Sequence, residues 1–451
     1  MQLQVFNLSQ RPSLLGVLPV YMWALVVVII AESIGPITVP FGSSKVVLLP
    51  MIWALIAGAI IGCLSYKSTS FLSLTRARQI SASHILQPAL LVFIAKLGLV
   101  VGSSLPTVIQ AGWALAFQEL GHFVGTVLLG MPVALLLGIK REAIGATFSV
   151  GREPSLAIIG EKYGMDSPEG RGVLAEYLTG TLFGALFIAI VSGVIASLSL
   201  FDPRSLAMAS GVGSGSMMAA AAGAIAAQVD AKTGETVMAL AAASNLITTT
   251  FGTYFTLFIS LPLAVWAYRI FEPILGRRPK FKGDHAEKVE HENDAVLNAY
   301  EESAEHNSGL SWLEKVLAWL ATAVFSMLAN WMAFGNFSES VLLGCLLLVV
   351  LSLLGEIINT LTRRKVPTVC WVSVLAMYAT SPWCPWAAQI SSYTASVNIL
   401  AVITPMLTYA GLSIAKDLPA FRRLGWRIVV VSFVANFGTF IGAAFVAEIF
   451  H

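Results

Sequence analysis

The chain has 451 residues, 57% of them hydrophobic and 12% charged, with a mean hydropathy of +0.79, whereas a soluble domain carries roughly 25% charged residues. That balance excludes a soluble globular protein, and a formal net charge of +2 gives no footing for nucleic acid. Four cysteines, Cys63, Cys345, Cys370 and Cys384, lack CxxC spacing, so neither a metal site nor a disulfide framework is expected.

Apolar runs long enough to cross a bilayer recur along the chain, the pattern of helical spans rather than of a barrel's alternating strands. Spans are read at 14–33, 46–64, 84–104 and 107–139, followed by an irregular segment at 143–160, a span at 173–199, a glycine-serine segment at 205–228 and a span at 236–268. After the polar stretch from Arg277 to Gly309 they resume at 314–334, 339–361, 367–383, 392–415 and 428–449. The expected fold is therefore an all-α integral membrane protein of about 11 transmembrane helices plus two re-entrant or broken-helix segments. Its expected modules are scaffold spans at 1–139, a core at 140–275, a cytoplasmic linker at 276–312 and a second scaffold at 313–451. With Arg11 as its single early cation and no small-residue cleavage site, the first run reads as an uncleaved span.

Lysine and arginine collect on cytoplasmic loops. Lys67, Arg76 and Arg78, then Lys140 and Arg141, then Arg277, Arg278, Lys280 and Lys282 all fit a cytoplasmic N-terminus. Arg363, Arg364 and Lys365, with Lys416, Arg422 and Arg423, continue that count and put the C-terminus outside. Lys96–Thr126 aligns without gaps on Tyr409–Thr439 at a constant shift (411 − 98 = 313), matching Gly98/Gly411, Pro106/Pro419, Gly112/Gly425, Trp113/Trp426, Gly125/Gly438 and Thr126/Thr439. The charge map turns the copies upside down relative to one another, the inverted-repeat arrangement of many secondary transporters.

In Leu206–Gln228 the glycines Gly211, Gly213 and Gly215 alternate with Val212, Ser214 and Ser216, and each glycine costs a helix interior about 1 kcal/mol against alanine. A backbone that leaves helical form at membrane depth is tolerated only where protein or a water-filled cavity surrounds it. Its freed N–H groups and the hydroxyls of Ser210, Ser214 and Ser216 would then face a solute. Close helix packing through the GxxxG spacing of Gly211 and Gly215 is the other reading. In Thr147–Gly160, Gly151 and Pro154 bracket Arg152 and Glu153, and proline disfavours helix at the residue before it. Arg152 would fork a carboxylate, with Ser149, Gly151 and Ser155 beside it, and Glu153 would take a proton or cation, or serve as the counter-ion of Arg152 when substrate is absent. A hydrated pair in a loop at the membrane surface is the alternative. If both segments are re-entrant, they enter from opposite sides and meet at the midplane.

Lys96, Glu119 and His122 lie on the hairpin of the third and fourth spans, where a structural Lys96–Glu119 pair is expected, with Glu119 and His122 as candidate ion-coupling groups. Glu176 is placed at the interface where its span opens. Asn245 and Thr249, with Thr248, Thr250 and Thr253, line a path or bond helix to helix.

Residues 85–268 resemble the CidB/LrgB family of bacterial membrane proteins through Gly98, Leu99 and Pro106, through Ser149, Val150 and Pro154, and through Leu206, Ala207 and Ser210. Residues 314–449 resemble the CidA/LrgA partner through Gly411, Leu418 and Trp426, in an order reversed relative to the fused plastid glycolate/glycerate translocator. The string LAMASGVGSGSMMAAA resembles a bacterial family described only as a domain of unknown function, DUF3100. The resemblance implies transport of small carboxylates, or a holin-like role. The histidine of the Cid/Lrg glycine-serine segment is absent here, and Arg152-Glu153 stands where that family tends to have hydroxyls.

The expected function is secondary transport of a small organic anion by an elevator-type movement, coupled to protons or sodium, in a homodimer and without a resident cofactor. A holin-like pore or regulator is the alternative. No GxxxxGK[ST], HExxH or GxSxG motif suggests ATP drive or an enzyme.

Overall fold

The computed structural model describes residues 14–41, 44–65, 71–164, 167–276, 310–363, 368–416, 418 and 425–450. The expected linker from Arg277 to Gly309 lies outside the described residues. The protein is an all-α multi-pass membrane protein, apart from one short strand pair among the described residues. Helices α1 (Leu14–Ile34) and α2 (Pro50–Ser65) flank antiparallel strands β1 (Ile37–Phe41) and β2 (Ser44–Leu48). Then come α3 (Arg76–Ser103), α4 (Leu105–Leu136), α5 (Glu142–Thr147), α6 (Arg152–Tyr163) and α7 (Pro168–Thr179), which a π turn at Gly180–Gly184 joins to α8 (Ala185–Ser197). After α9 (Pro203–Ser210) and α10 (Gly215–Ala226), α11 (Ala231–Phe255) runs through a π turn at Thr256–Ser260 into α12 (Leu261–Leu275). The last part holds α13 (Trp312–Phe334), α14 (Glu339–Leu361), α15 (Thr368–Thr380), α16 (Ala387–Ala395), α17 (Ile399–Leu412) and α18 (Trp426–Phe450).

Nine helices among the described residues are long and apolar enough to span a bilayer, against the eleven spans expected. The difference lies at 46–64 and 367–383, where the helices are only 16 and 13 residues long. At the first of these, Val46–Leu48 belong to β2 instead, pairing with Val39, Thr38 and Ile37. β-branched residues on both sides of a glycine-serine step favour a hairpin there over the start of a helix.

The longest helix contact is between α4 and α18. Gly121 faces Gly442 and Gly125 faces Gly438 so closely that a Cβ at any of the four would strike the opposing backbone, the small-residue packing that lets membrane helices approach. Phe117 stacks on Phe450 with centroids 4.7 Å apart, so the helices run antiparallel. Thr126 and Thr439 bring their hydroxyl oxygens within 2.6 Å. α4 is interrupted at Gly112 (φ 20°) and resumes at Trp113, while Gly425 immediately precedes the helix that starts at Trp426. Both tryptophans are exposed.

Ion pairs mark one end of the bundle: Lys140–Glu272 at 2.6 Å, Arg141–Glu169 at 2.6 Å and Arg171–Glu142 at 2.9 Å. They gather the ends of α4 and α12 with the starts of α5 and α7. Because α18 is antiparallel to α4, its last turn lies at the opposite end. There Glu448 accepts a bond from the Asp202 amide at 3.0 Å, which anchors the start of α9. α11 runs alongside α4 in the same direction, through Gln118–Ser244, Phe123–Phe255 and Lys140–Glu272. Its start, packed on Ala226 at the end of α10, therefore also lies at the end opposite Lys140. The α9–α10 pair thus enters and leaves at one end, and the α5–α6 pair enters and leaves at the other.

The two halves of this core repeat one element order. Each has a short helix, a break, a helix of 12 residues, a capped turn and a long helix interrupted by a five-residue π turn. Corresponding helix starts are 63 residues apart (215 − 152 and 231 − 168). The turn is closed by the Ser167 hydroxyl accepting from the Gly170 amide in one half, and by the Asp230 carboxylate accepting from the Thr233 amide in the other.

Candidate functional site

The chain leaves helical form between Ser210 and Gly215, where the alternating glycines predict a break. Gly213 has φ 98°, a conformation that glycine takes without the steric penalty of a Cβ. Ser214 is extended and starts α10 as its cap, its Oγ accepting from the Met217 amide at 3.3 Å and lying 3.1 Å from the Ser216 hydroxyl. Two carbonyls at the break are taken by one side chain: Asn245 Nδ2 donates to Gly211 O at 2.8 Å and to Gly213 O at 3.4 Å. Packing, the other sequence reading, also operates. A Cβ on Gly211 would lie 2.7 Å from the Ala241 carbonyl, and one on Gly215 would lie 2.7 Å from Leu90 Cδ1. Ser210, Ser216 and Asn245 are buried, and Ser210 spends its proton on the Ala207 carbonyl at 2.7 Å.

The second break lies at Ser149–Gly151, just before α6. It is upstream of the position that Pro154 predicts, because a proline in the first turn of a helix gives up no intrahelical bond and is tolerated there. Arg152 and Glu153 are the first two residues of α6 rather than part of a loop, and their side chains, like that of Thr249, lie outside the described residues. Ser149 Oγ accepts from the Gly151 amide at 3.0 Å, and the Ser155 amide donates to Gly151 O at 2.9 Å. The space that a Gly151 Cβ would fill lies 3.1 Å from Ser149 Oγ and 3.5 Å from Ser155 Oγ. Ser155 is fully buried and its hydroxyl has no partner among the described residues.

The breaks approach middle depth from opposite ends. Gly211 packs on Ser244, which bonds to Gln118, 13 residues along α4 from Leu105, or about 20 Å at 1.5 Å per residue. Thr147 packs on Gly130, ten residues before Lys140, or about 15 Å in from the other end. Val150 and Val212, one from each break, belong to the same contiguous core. A narrow, largely apolar crevice between α3, α11 and α15 reaches Asn245, with Ile94, Leu97, Ala242, Val369 and Ser373 on its walls.

A buried polar network joins α4 to the α9–α10 break. Glu119 Oε1 accepts from Gln118 Nε2 at 3.1 Å and from the Thr248 hydroxyl, and Glu119 Oε2 lies 3.3 Å from His122 Nδ1. Gln118 Nε2 also reaches Ser244 Oγ at 3.0 Å, and Ser244 Oγ donates to Met208 O at 2.7 Å in the last turns of α9. Lys96 takes no part: its ammonium donates to the Thr394 carbonyl at 2.6 Å, which corrects the expected Lys96–Glu119 pair. Glu176 is corrected as well. Its helix starts at Pro168, so the carboxyl is buried rather than interfacial.

The predicted site residues therefore fall into two clusters. Ser149, Gly151 and Ser155 stand at one break, while Ser210, Gly211, Gly213, Ser214, Gly215, Ser216 and Asn245 stand at the other, with Glu119 and His122 behind the second. Sequence reasoning missed Gln118 and Ser244, ordinary polar residues whose only signal is an apolar surrounding. It also missed Glu32, buried with one oxygen bonded to Thr404 at 2.7 Å and the other without a partner among the described residues. No curated protein and no solved structure matches the chain. The match is to a family model described as protein of unknown function, DUF3100, over residues 29–270, more than half of the chain, and the chain belongs to that family.

Proposed function

We propose that the protein is a secondary transporter of a small organic anion of the carboxylate class, working by alternating access of the elevator type. The observation that carries this reading is the pair of helix breaks that approach middle depth from opposite ends, each ending at the N-terminus of a 12-residue helix. Helix N-termini carry partial positive charge and leave N–H groups without intrahelical acceptors, which suits an anion. The hydroxyls of Ser149, Ser155, Ser214 and Ser216 stand around the two tips, and Arg152 is the proposed carboxylate-binding residue of the first. Glu119, His122 and Glu153 are the proposed coupling groups, serving a proton or a sodium ion.

The inverted repeat of 96–126 with 409–439 belongs to the same proposal. Supporting it, Thr126 meets Thr439 and Gly125 meets Gly438, two contacts between residues that stand 313 positions apart, as expected near a pseudo-two-fold axis. The Gly112-Trp113 and Gly425-Trp426 steps add a second correspondence. In this reading α1–α4 and α13–α18 form the scaffold, possession of which by a second copy makes the working unit a homodimer. α5–α12 form the moving module in a bacterial inner membrane, with the N-terminus and the Lys140 end cytoplasmic and the C-terminus outside.

Purified protein in liposomes, loaded with unlabelled small carboxylates and offered labelled ones, tests the proposal by counterflow. Saturable exchange that disappears in Arg152→Ala and weakens in Ser155→Ala is the expected result. Non-saturable leakage of unrelated solutes would overturn it in favour of a holin-like pore.

A further inference from the structure

Glu119 sits where two parts of the molecule meet. Its own helix α4 is clamped to α18 by glycine packing, whereas two of the groups that bond its carboxylate network lie on α11, which carries the α9–α10 break through Ser244 and Asn245. An ionised carboxylate in this position accepts at both oxygens; once protonated it carries a donor of its own, which clashes with the hydrogens aimed at that oxygen, and its remaining acceptor is the weaker one of a neutral acid. We propose that the Glu119–His122 pair is a proton-operated latch: the ionised pair fastens α11 and the α9–α10 hairpin to α4, and uptake of a proton releases them.

The inference rests on the transporter reading for its purpose and on separate observations for its chemistry. The groups around Glu119 are hydrogen donors, Gln118 Nε2 and Thr248 Oγ1, together with an imidazole nitrogen, whereas sodium, a hard cation, is held by carbonyl, carboxylate and water oxygens. His122 Nε2 is buried with no partner among the described residues and faces away from the carboxylate, so it can take the incoming proton while Nδ1 hands its own hydrogen to Glu119 Oε2; the imidazole ends neutral and the carboxyl protonated. With one proton between them the pair carries a net charge of −1, and a second proton makes it neutral. Neutralisation lowers the cost of moving an anion beside it through a low-dielectric interior. From Glu119 the connection to the break is short: Gln118 to Ser244, Ser244 to Met208 O, and one residue along α11 Asn245 to Gly211 O and Gly213 O.

Among the described residues the ionisable groups on the elements packed against α4 are Lys232 and Glu235 on α11, Arg204 on α9, Glu448 and Arg427 on α18, Arg76, Arg78, His84 and Lys96 on α3, Glu142 on α5, and Tyr268, Arg269 and Glu272 on α12. Glu448 is engaged by the Asp202 amide. Glu235 is nine residues before Ser244, about 13 Å along the helix. Lys96 is held by the Thr394 carbonyl, and Glu142 and Glu272 are paired at the Lys140 end.

Hydrogen–deuterium exchange of the whole protein in lipid nanodiscs tests the latch without knowledge of the substrate. Exchange of peptides covering 205–217 is measured at about pH 8 and at about pH 5, and corrected for the intrinsic pH dependence of amide exchange. Protection is expected to fall several-fold at the lower pH, to be low at both in Glu119→Gln, and to be reduced at the higher pH in Thr248→Val, which keeps the carboxylate. Peptides from α8 should hold their protection throughout and so exclude global unfolding. Adding sodium chloride in place of potassium chloride at fixed pH is expected to change nothing. Protection that is independent of pH, or that follows sodium instead, overturns the latch. Latch behaviour without carboxylate counterflow would overturn the transporter reading and leave the latch standing; counterflow with pH-independent protection would do the reverse.

Discussion

Asn245 shows how one side chain makes a helix break tenable. Two carbonyls that lost their helical donors share its amide, and a buried acceptor left without a donor costs about 1–3 kcal/mol. Asn245→Ala is therefore expected to destabilise the protein by that amount and to loosen the 208–217 segment first, read as a lower melting temperature and faster local amide exchange. Asn245→Asp keeps the size but loses the donor, so it should not rescue. Much of this was legible beforehand: the three spaced glycines predict where the main chain turns aside, and polar residues in an apolar run point to Asn245. The pairing of Glu119 was not legible. Lys96 and Glu119 lie about 7 Å apart in depth by helical rise, yet rise says nothing about the rotation of each helix, and the lysine faces α16 instead.

At the scale of elements, the contact of α4 with α18 is made by glycines, and its prediction follows from the absence of side chains. Gly125→Leu or Gly438→Leu forces the helices apart, and overpacking of this kind costs about 1–3 kcal/mol or more. The expected outcome is a lower melting temperature in detergent for either variant. Gly425→Ala, where no atom of the described residues lies within 4 Å of the added carbon, should leave it unchanged. Matching effects at Gly125 and Gly438 are also what a two-fold relation requires, so a tolerant Gly438 beside an intolerant Gly125 would count against the repeat. Length and hydropathy found most of the long helices within a few residues of their limits, but α3 starts eight residues before the expected limit of 84, and the span expected at 392–415 begins in α16 and crosses a break at Ser396–Asn398 into α17. They failed where a helix is short, at α2 and α15, because the threshold for a span is a length and neighbouring apolar strand residues fill the window as well as helical ones do.

For the whole molecule, the path of the chain predicts which loops share a side. The turn after α8 and the turn between α10 and α11 lie together at one end, with the turn after α6 at the other. Single cysteines at Ser199 and Asp230, in a Cys63→Ser background, should react with an impermeant maleimide from the same side of the membrane, and one at Lys162 only from the opposite side. A chain in which α9–α10 crossed the bilayer would separate Ser199 from Asp230. Charge counting leaves both paths open, since two re-entrant segments and two crossing ones give the same parity; only the packing of α10 on α11 and of Asp202 on Glu448 distinguishes them. The threonine contact between the two halves has a less obvious outcome. Each hydroxyl owns one hydrogen, and three acceptors compete for the two: the His122 carbonyl at 2.6 Å from Thr126, the Ala435 carbonyl at 2.8 Å from Thr439, and the facing oxygen. One threonine bonds backward along its own helix while the other gives its hydrogen across, and the roles exchange without changing the number of bonds. Each valine replacement removes one hydrogen and so one bond. The effects of Thr126→Val and Thr439→Val on unfolding free energy should accordingly sum, with an interaction energy below about 0.5 kcal/mol, even though the two oxygens touch.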